Sequence, residues 1–197
     1  SVSKLELLIE KMSKSSPEAV NTLNSSIDSI VDYLHIETDI EKKYLEILNN
    51  NKENKCLIFL CGSSGDGKSA IINRHLQGFE SFYDFHVDAT HSFNPTQTAI
   101  EALSESFSSY NESQKSLVVG INIGIMLNFI SNDTNYKKIN SAINLFLEEK
   151  KDSDNIYFIN FEDYSKFNFE ENQINSSFIQ NLFKRITIES KTNPFYK

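Results

Sequence analysis

The stretch Gly62-Ser63-Ser64-Gly65-Asp66-Gly67-Lys68-Ser69 constrains this chain more than any other. It has the spacing G-x-x-x-x-G-K-S, and its flanks supply the context that this spacing requires. The apolar run Leu57-Ile58-Phe59-Leu60-Cys61 reads as a buried parallel strand. Ala70, Ile71, Ile72 and Leu76 are the apolar members of a helix after the loop. Between them, glycines let the main chain wrap an anion, and loop amides with the positive helix end form a nest for it. Lys68 supplies an ammonium group for the β- and γ-phosphates, and the Ser69 hydroxyl is a ligand for Mg²⁺. The candidate nucleotide-binding residues are therefore Gly62, Ser63, Ser64, Gly65, Asp66, Gly67, Lys68, Ser69 and Ala70. The competing reading is a glycine turn that binds nothing. A chance match in a chain of this composition occurs at roughly a few in a thousand.

A length of 197 residues fits one domain of ordinary size with a small appendage. The net charge of −8 bears on partners. Nucleic-acid binders present basic patches and favour arginine as the reader of phosphate and guanine. Here Arg74 and Arg185 are the only arginines, which argues against tight DNA binding by this segment alone. Cys56 and Cys61 lie five apart on one expected strand, so their side chains face opposite ways and do not pair. Reduced cysteines, no signal peptide and no apolar run of bilayer length lead to the expectation of a soluble, cytoplasmic protein without a membrane partner.

Taken in order, residues 1–50 read as a helical lead-in. Leu5, Leu8, Ile9 and Met12 keep helical spacing; Ser16-Pro17 looks like a cap; Ile27, Ile30, Val31 and Leu34 repeat the pattern. Thr38 and Glu41 match a capping box ahead of Ile40, Tyr44, Leu45 and Leu48. Residues 51–197 read as the core. A second strand is expected over 82–90, ending in Asp88, and a helix starting at Asn94-Pro95 carries Ile100, Leu103, Phe107 and Tyr110. Strands over 116–123 and 156–161 enclose helices through Met126 and Phe129 and through Ile139, Ile143 and Phe146. Residues 166–177 read as a mobile loop, and a last helix carries Phe178, Leu182, Phe183 and Ile186. Alternating strands and helices predict an α/β fold, a P-loop NTPase-type mostly parallel sheet flanked by helices. The terminal Phe195 and Tyr196 have no closing element in the sequence, the expectation for a segment of a longer protein.

A working site of this type also needs an acidic residue near the metal. The third strand would normally end in it but ends in Asn122. Asp88, closing the second strand, has the right chemistry, so Ser69 and Asp88 are the candidate metal ligands. Asn122 or Asn160, at the ends of the third and fourth strands, is assigned to the γ-phosphate or its attacking water, with a plain strand-end role as the alternative for each. Lys68, Asp88, Asn122 and Asn160 make up the candidate catalytic set. His86 and His91 flank Asp88, but core or solvated histidines explain them better than a metal. Arg185 reads as a surface arginine rather than a finger on a neighbour's nucleotide, and Tyr33, His35 and Ile36 are the candidates to border the base. Asn51-Lys52-Glu53-Asn54 departs from the guanine-reading N-K-x-D box in its last residue and its position, which favours ATP.

The P-loop, with Asp88-Ala89-Thr90-His91-Ser92-Phe93-Asn94-Pro95 and Gly120-Ile121-Asn122-Ile123-Gly124, resembles the DNA phosphorothioation-dependent restriction protein DptF over its N-terminal portion. Tyr33-Leu34-His35-Ile36-Glu37 and Ile40-Glu41-Lys42 are similar to that family's lead-in. The resemblance implies an ATPase of bacterial defence, acting with DptG- and DptH-like partners on DNA through the complex rather than through this segment. Two other classes stay open. One is a protein-interaction module with a structural or inactive nucleotide site, motivated by the missing acid; the other is a small-molecule kinase, disfavoured by the scarcity of arginine.

Overall fold

The strand β1, Leu57–Gly62, is buried at every residue, as its unbroken apolar run requires of a strand covered on both faces. The computed structural model describes residues 30, 32–89, 97–132, 135–150, 154–164, 168–170 and 173–196. Two compact units emerge, one of Asp39–Ser165 and one combining Ser1–Thr38 with Lys166–Lys197.

In the first unit, helix α1 (Asp39–Asn50) precedes β1, and helix α2 (Lys68–Phe79) leads to β2 (Tyr83–His86). Helix α3 (Ala99–Glu112) leads to β3 (Ser116–Asn122), followed by α4 (Ile123–Asn132), α5 (Lys137–Leu147) and β4 (Ile156–Asn160). The four strands form one all-parallel sheet in the order β2-β3-β1-β4. Its register sets Gly62 beside Asn122 and Cys61 beside Asn160, so the ends of β1, β3 and β4 are level.

Period-two alternation sorts β1 onto two cores. Leu57, Phe59 and Cys61 pack with Leu103, Phe107, Met126, Phe129, Ile139 and Ile143 of α3, α4 and α5. Ile58 and Leu60, with Cys56 just before the strand, pack with Ile40, Tyr44, Leu48, Ile72 and Phe79 of α1 and α2. The two cysteines thus sit in different cores, both free and buried, and burial raises the pKa of each thiol. Two polar contacts join α1 to its neighbours. Glu41, almost fully buried, meets His75 of α2 at 2.7 Å, and the Tyr83 hydroxyl donates to the Leu48 carbonyl at 2.8 Å in the buried interior. Tyr83→Phe is expected to cost about 1 kcal/mol, the usual net value of such a bond. Chemical denaturation would measure it, and unchanged stability would show that the bond contributes nothing.

Three expectations need correction. Helix α3 begins at Ala99, because Thr98 accepts from the Glu101 amide while the Glu101 carboxylate accepts from the Thr98 amide, a complete capping box. Asn94 and Pro95 lie outside the described residues. Strand β2 stops at His86, two residues before Asp88. Within 166–177, the expected loop, Asn168–Glu170 (β5) and Gln173–Asn175 (β6) pair antiparallel, with Phe169 opposite Ile174. Strands this short show no sustained apolar periodicity in the sequence. The expected helix through Leu5 to Met12 and the Ser16-Pro17 cap lie outside the described residues.

The second unit carries β5, β6 and helix α6 (Ser177–Thr187), whose first turn is capped by the Ser176 hydroxyl. The buried Asn193 side chain donates to the carbonyls of Ile186 and Ile188, which holds the turn after α6.

Candidate functional site

At the carboxyl ends of the strands, β1 turns into α2 on one face while its neighbour β3 turns into α4 on the other. Adjacent strands whose connections leave in opposite directions open a crevice between them, where α/β folds bind their ligands. The glycine loop lies at this point. Gly65 and Gly67 have φ of 80° and 108°, values that side-chain-bearing residues adopt only with strain. Gly67 precedes α2 as its N-cap and contributes no capping side chain.

A cavity of about 190 Å³ opens over the loop, lined by Ser64, Gly65, Asp66, Gly67, Lys68, Ser69, Ala70, Asp88 and Asn122. Its size falls below the few hundred Å³ of sites that enclose a whole organic ligand. It has room for phosphate groups and a hydrated cation. Residues more than fifty positions apart in sequence thus border one space. Asn160 is not among the lining residues: its side-chain oxygen accepts from the Glu162 amide at 3.2 Å and caps the short 3₁₀ turn Phe161–Asp163.

Asp88 reaches the cavity although no ladder holds it. Beyond β2 the chain continues along β3, with the Ala89 amide donating to the Gly120 carbonyl at 2.8 Å. This path lies so close to β3 that a Cβ on Gly120 would stand 2.3 Å from the Val87 carbonyl oxygen. The Ser69 hydroxyl points at that same oxygen across 3.5 Å, a long contact. Gly120 therefore admits the segment that carries Asp88 to the cavity. Sequence reasoning gave it no role at the site, because only pairing with a distant segment creates one.

Asn122 has two functions available. Its side-chain oxygen accepts the Ile125 amide at 2.7 Å and so caps α4. The side-chain amide remains to donate toward the cavity it lines.

Lys68 is buried and bends back over the loop. Its ammonium donates to the Ser63 carbonyl at 2.6 Å and to Asp66 Oδ1 at 3.0 Å, with the Phe161 ring centroid 6.0 Å away. The Lys68 amide donates to the same Asp66 oxygen at 3.2 Å. The carboxylate fits there because residue 62 is glycine: a Cβ at that position would stand 2.0 Å from Asp66 Oδ2.

The cavity-lining side chains proposed for a cation, Ser69 and Asp88, offer oxygen, which suits a hard cation such as Mg²⁺ and not zinc. No group of three or more His, Cys, Asp or Glu residues able to hold a metal occurs among the described residues. His86 is buried, and its Nδ1 lies 2.8 Å from the Ser106 hydroxyl of α3, a core arrangement. His91 lies outside the described residues. In the second unit, Arg185 donates to the Tyr33 carbonyl and its own carbonyl accepts from the Tyr33 hydroxyl at 2.8 Å. Tyr33, His35 and Ile36 belong to that unit as well.

The class these observations define is an α/β protein with a four-stranded all-parallel sheet flanked by helices and a glycine loop at its switch point. No protein-family model, curated protein or solved structure matches the chain. No helix among the described residues is long and apolar enough to cross a membrane.

Proposed function

We propose that this chain is a P-loop NTPase-type protein that binds ATP with Mg²⁺ and hydrolyses it as a component of a bacterial DNA phosphorothioation-dependent restriction complex. The observation that carries the nucleotide reading is the cavity bordered jointly by the loop, Lys68, Ser69, Asp88 and Asn122. Loop amides and the Lys68 ammonium take the phosphate oxygens, and the Ser69 hydroxyl and Asp88 carboxylate hold the cation. The metal, when bound, neutralises charge that develops on the transferring phosphate. The Asn122 amide donates to the terminal phosphate or to the attacking water. Adenine is favoured over guanine, since no N-K-x-D box lies beyond the loop.

The assignment to DNA restriction, with DptG- and DptH-like partners, is supported by the resemblance of residues 88–95 and 120–124 to DptF. A net charge of −8 leaves DNA contact to those partners.

Calorimetric titration of Mg-ATP tests the nucleotide site. Lys68→Ala is expected to weaken binding by roughly ten- to a hundredfold, the worth of a charged hydrogen bond to phosphate. Equal affinity in the two proteins removes the reading.

One observation favours a second reading, a protein-interaction module whose nucleotide is structural. Asn122 stands where β3 would be expected to supply an acid, and its oxygen is committed to capping α4. Steady ATP turnover by the purified chain, lost in Lys68→Ala, would exclude that alternative.

A further inference from the structure

We propose that Asp66 is a built-in occupant of the loop, a carboxylate that holds the phosphate donors until a nucleotide displaces it. The inference rests on the phosphate-binding reading of the loop and adds a form of regulation to it.

The geometry points to competition for the same donors. Asp66 Oδ1 accepts from the Lys68 amide at 3.2 Å and from the Lys68 ammonium at 3.0 Å. These are two of the groups a bound phosphate oxygen would use: an amide in the first turn of α2 and the loop's single cation. The ion pair is well shielded, with side-chain exposures of 9% for Lys68 and 15% for Asp66, so water screens it poorly. Gly62 completes the arrangement by leaving the space that the second carboxylate oxygen fills.

An anion entering the cavity has to exchange with this carboxylate, and Lys68 has to leave Asp66 and the Ser63 carbonyl together. Binding is then weakened by the fraction of molecules in which the loop is open. A ligand with several negative charges overcomes the pair, whereas a neutral nucleoside gains nothing at this position. In effect the loop holds a threshold against weak anions.

Removing the carboxylate should therefore tighten binding. If Asp66 instead braced the loop or ligated the metal, its removal would weaken binding. Magnesium pyrophosphate, Mg-ATP and adenosine would be titrated into wild type, Asp66→Asn and Asp66→Ala, with circular dichroism to confirm folding. Asp66→Asn keeps the shape of the side chain, so it guards against collapse of the loop in the alanine variant. The expected result is roughly tenfold tighter binding of both polyphosphates in both variants, by a common factor, as for a loop open about one tenth of the time. Adenosine is expected to show no change. Polyphosphate binding that is unchanged or weaker in both variants overturns the inference while leaving the phosphate site standing. Absence of polyphosphate binding in all three folded proteins overturns the site and the inference together.

Discussion

Gly120→Ala is expected to destabilise the sheet unit by about 3 kcal/mol, the upper range for overfilling a packed interior. The added methyl would meet the Val87 carbonyl oxygen at 2.3 Å and Ile72 Cδ1 at 3.0 Å. The first is main chain and cannot rotate aside, so the segment after β2 has to move. That movement breaks the 2.8 Å bond from the Ala89 amide to the Gly120 carbonyl and shifts Asp88 away from the cavity. For a chain of this size, the corresponding drop in melting temperature is roughly 6–12 °C. A thermal unfolding scan checks it, and a melting temperature within a degree or two of wild type would mean that Val87 yields freely. Leu60, the partner of Gly120 on β1, is equally buried, but it lies on the side of β3 away from Val87, so truncating it would not displace Asp88 in this way.

The second large effect concerns chemistry. Under the proposed function, Asp88→Asn is expected to lower Mg²⁺-dependent ATP hydrolysis by about a hundredfold or more while leaving nucleotide binding within a few-fold. An amide keeps the size and hydrogen-bonding reach of the carboxylate but removes the charge that a hard cation requires, and metal stabilisation of phosphoryl transfer is worth several kcal/mol. The motivation is positional, since Asp88 and Asp66 are the two carboxylates lining the cavity among the described residues, and Asp66 is engaged with Lys68. Measuring turnover and binding on the same preparation separates the two effects. Undiminished turnover in the variant would retire Asp88 as the metal's acid.

The two variants also discriminate between position and charge. Gly120→Ala moves the Asp88 main chain and should reduce both stability and turnover. Asp88→Asn alters only the group itself and should spare stability. A common loss of folding in both would indicate that Asp88 serves mainly to satisfy the turn after β2.

Much of the architecture was legible in local sequence because it derives from periodicity. The alternation of Leu57, Phe59 and Cys61 with Ile58 and Leu60 separates two cores, and the helices through Phe107, Phe129 and Ile143 cover one of them. The start of α3 differs from the Asn94-Pro95-Thr96-Gln97 reading because a second capping signal lies four residues on, and Thr98 with Glu101 forms a complete capping box ahead of Ala99. The β5–β6 hairpin was not legible, since three-residue strands leave too little pattern.

The glycine loop needed only the sequence: Gly65, Gly67, Lys68 and Ser69 are close neighbours in the chain, and their chemistry depends on backbone conformations and charges carried within eight residues. Tertiary structure alone decided what stands opposite. It brought Asp88 and Asn122 to the cavity and left Asn160 as the cap of a turn. It also gave Gly120 a task, because the approach of two segments thirty-three residues apart depends on sheet order and register, which no local pattern encodes.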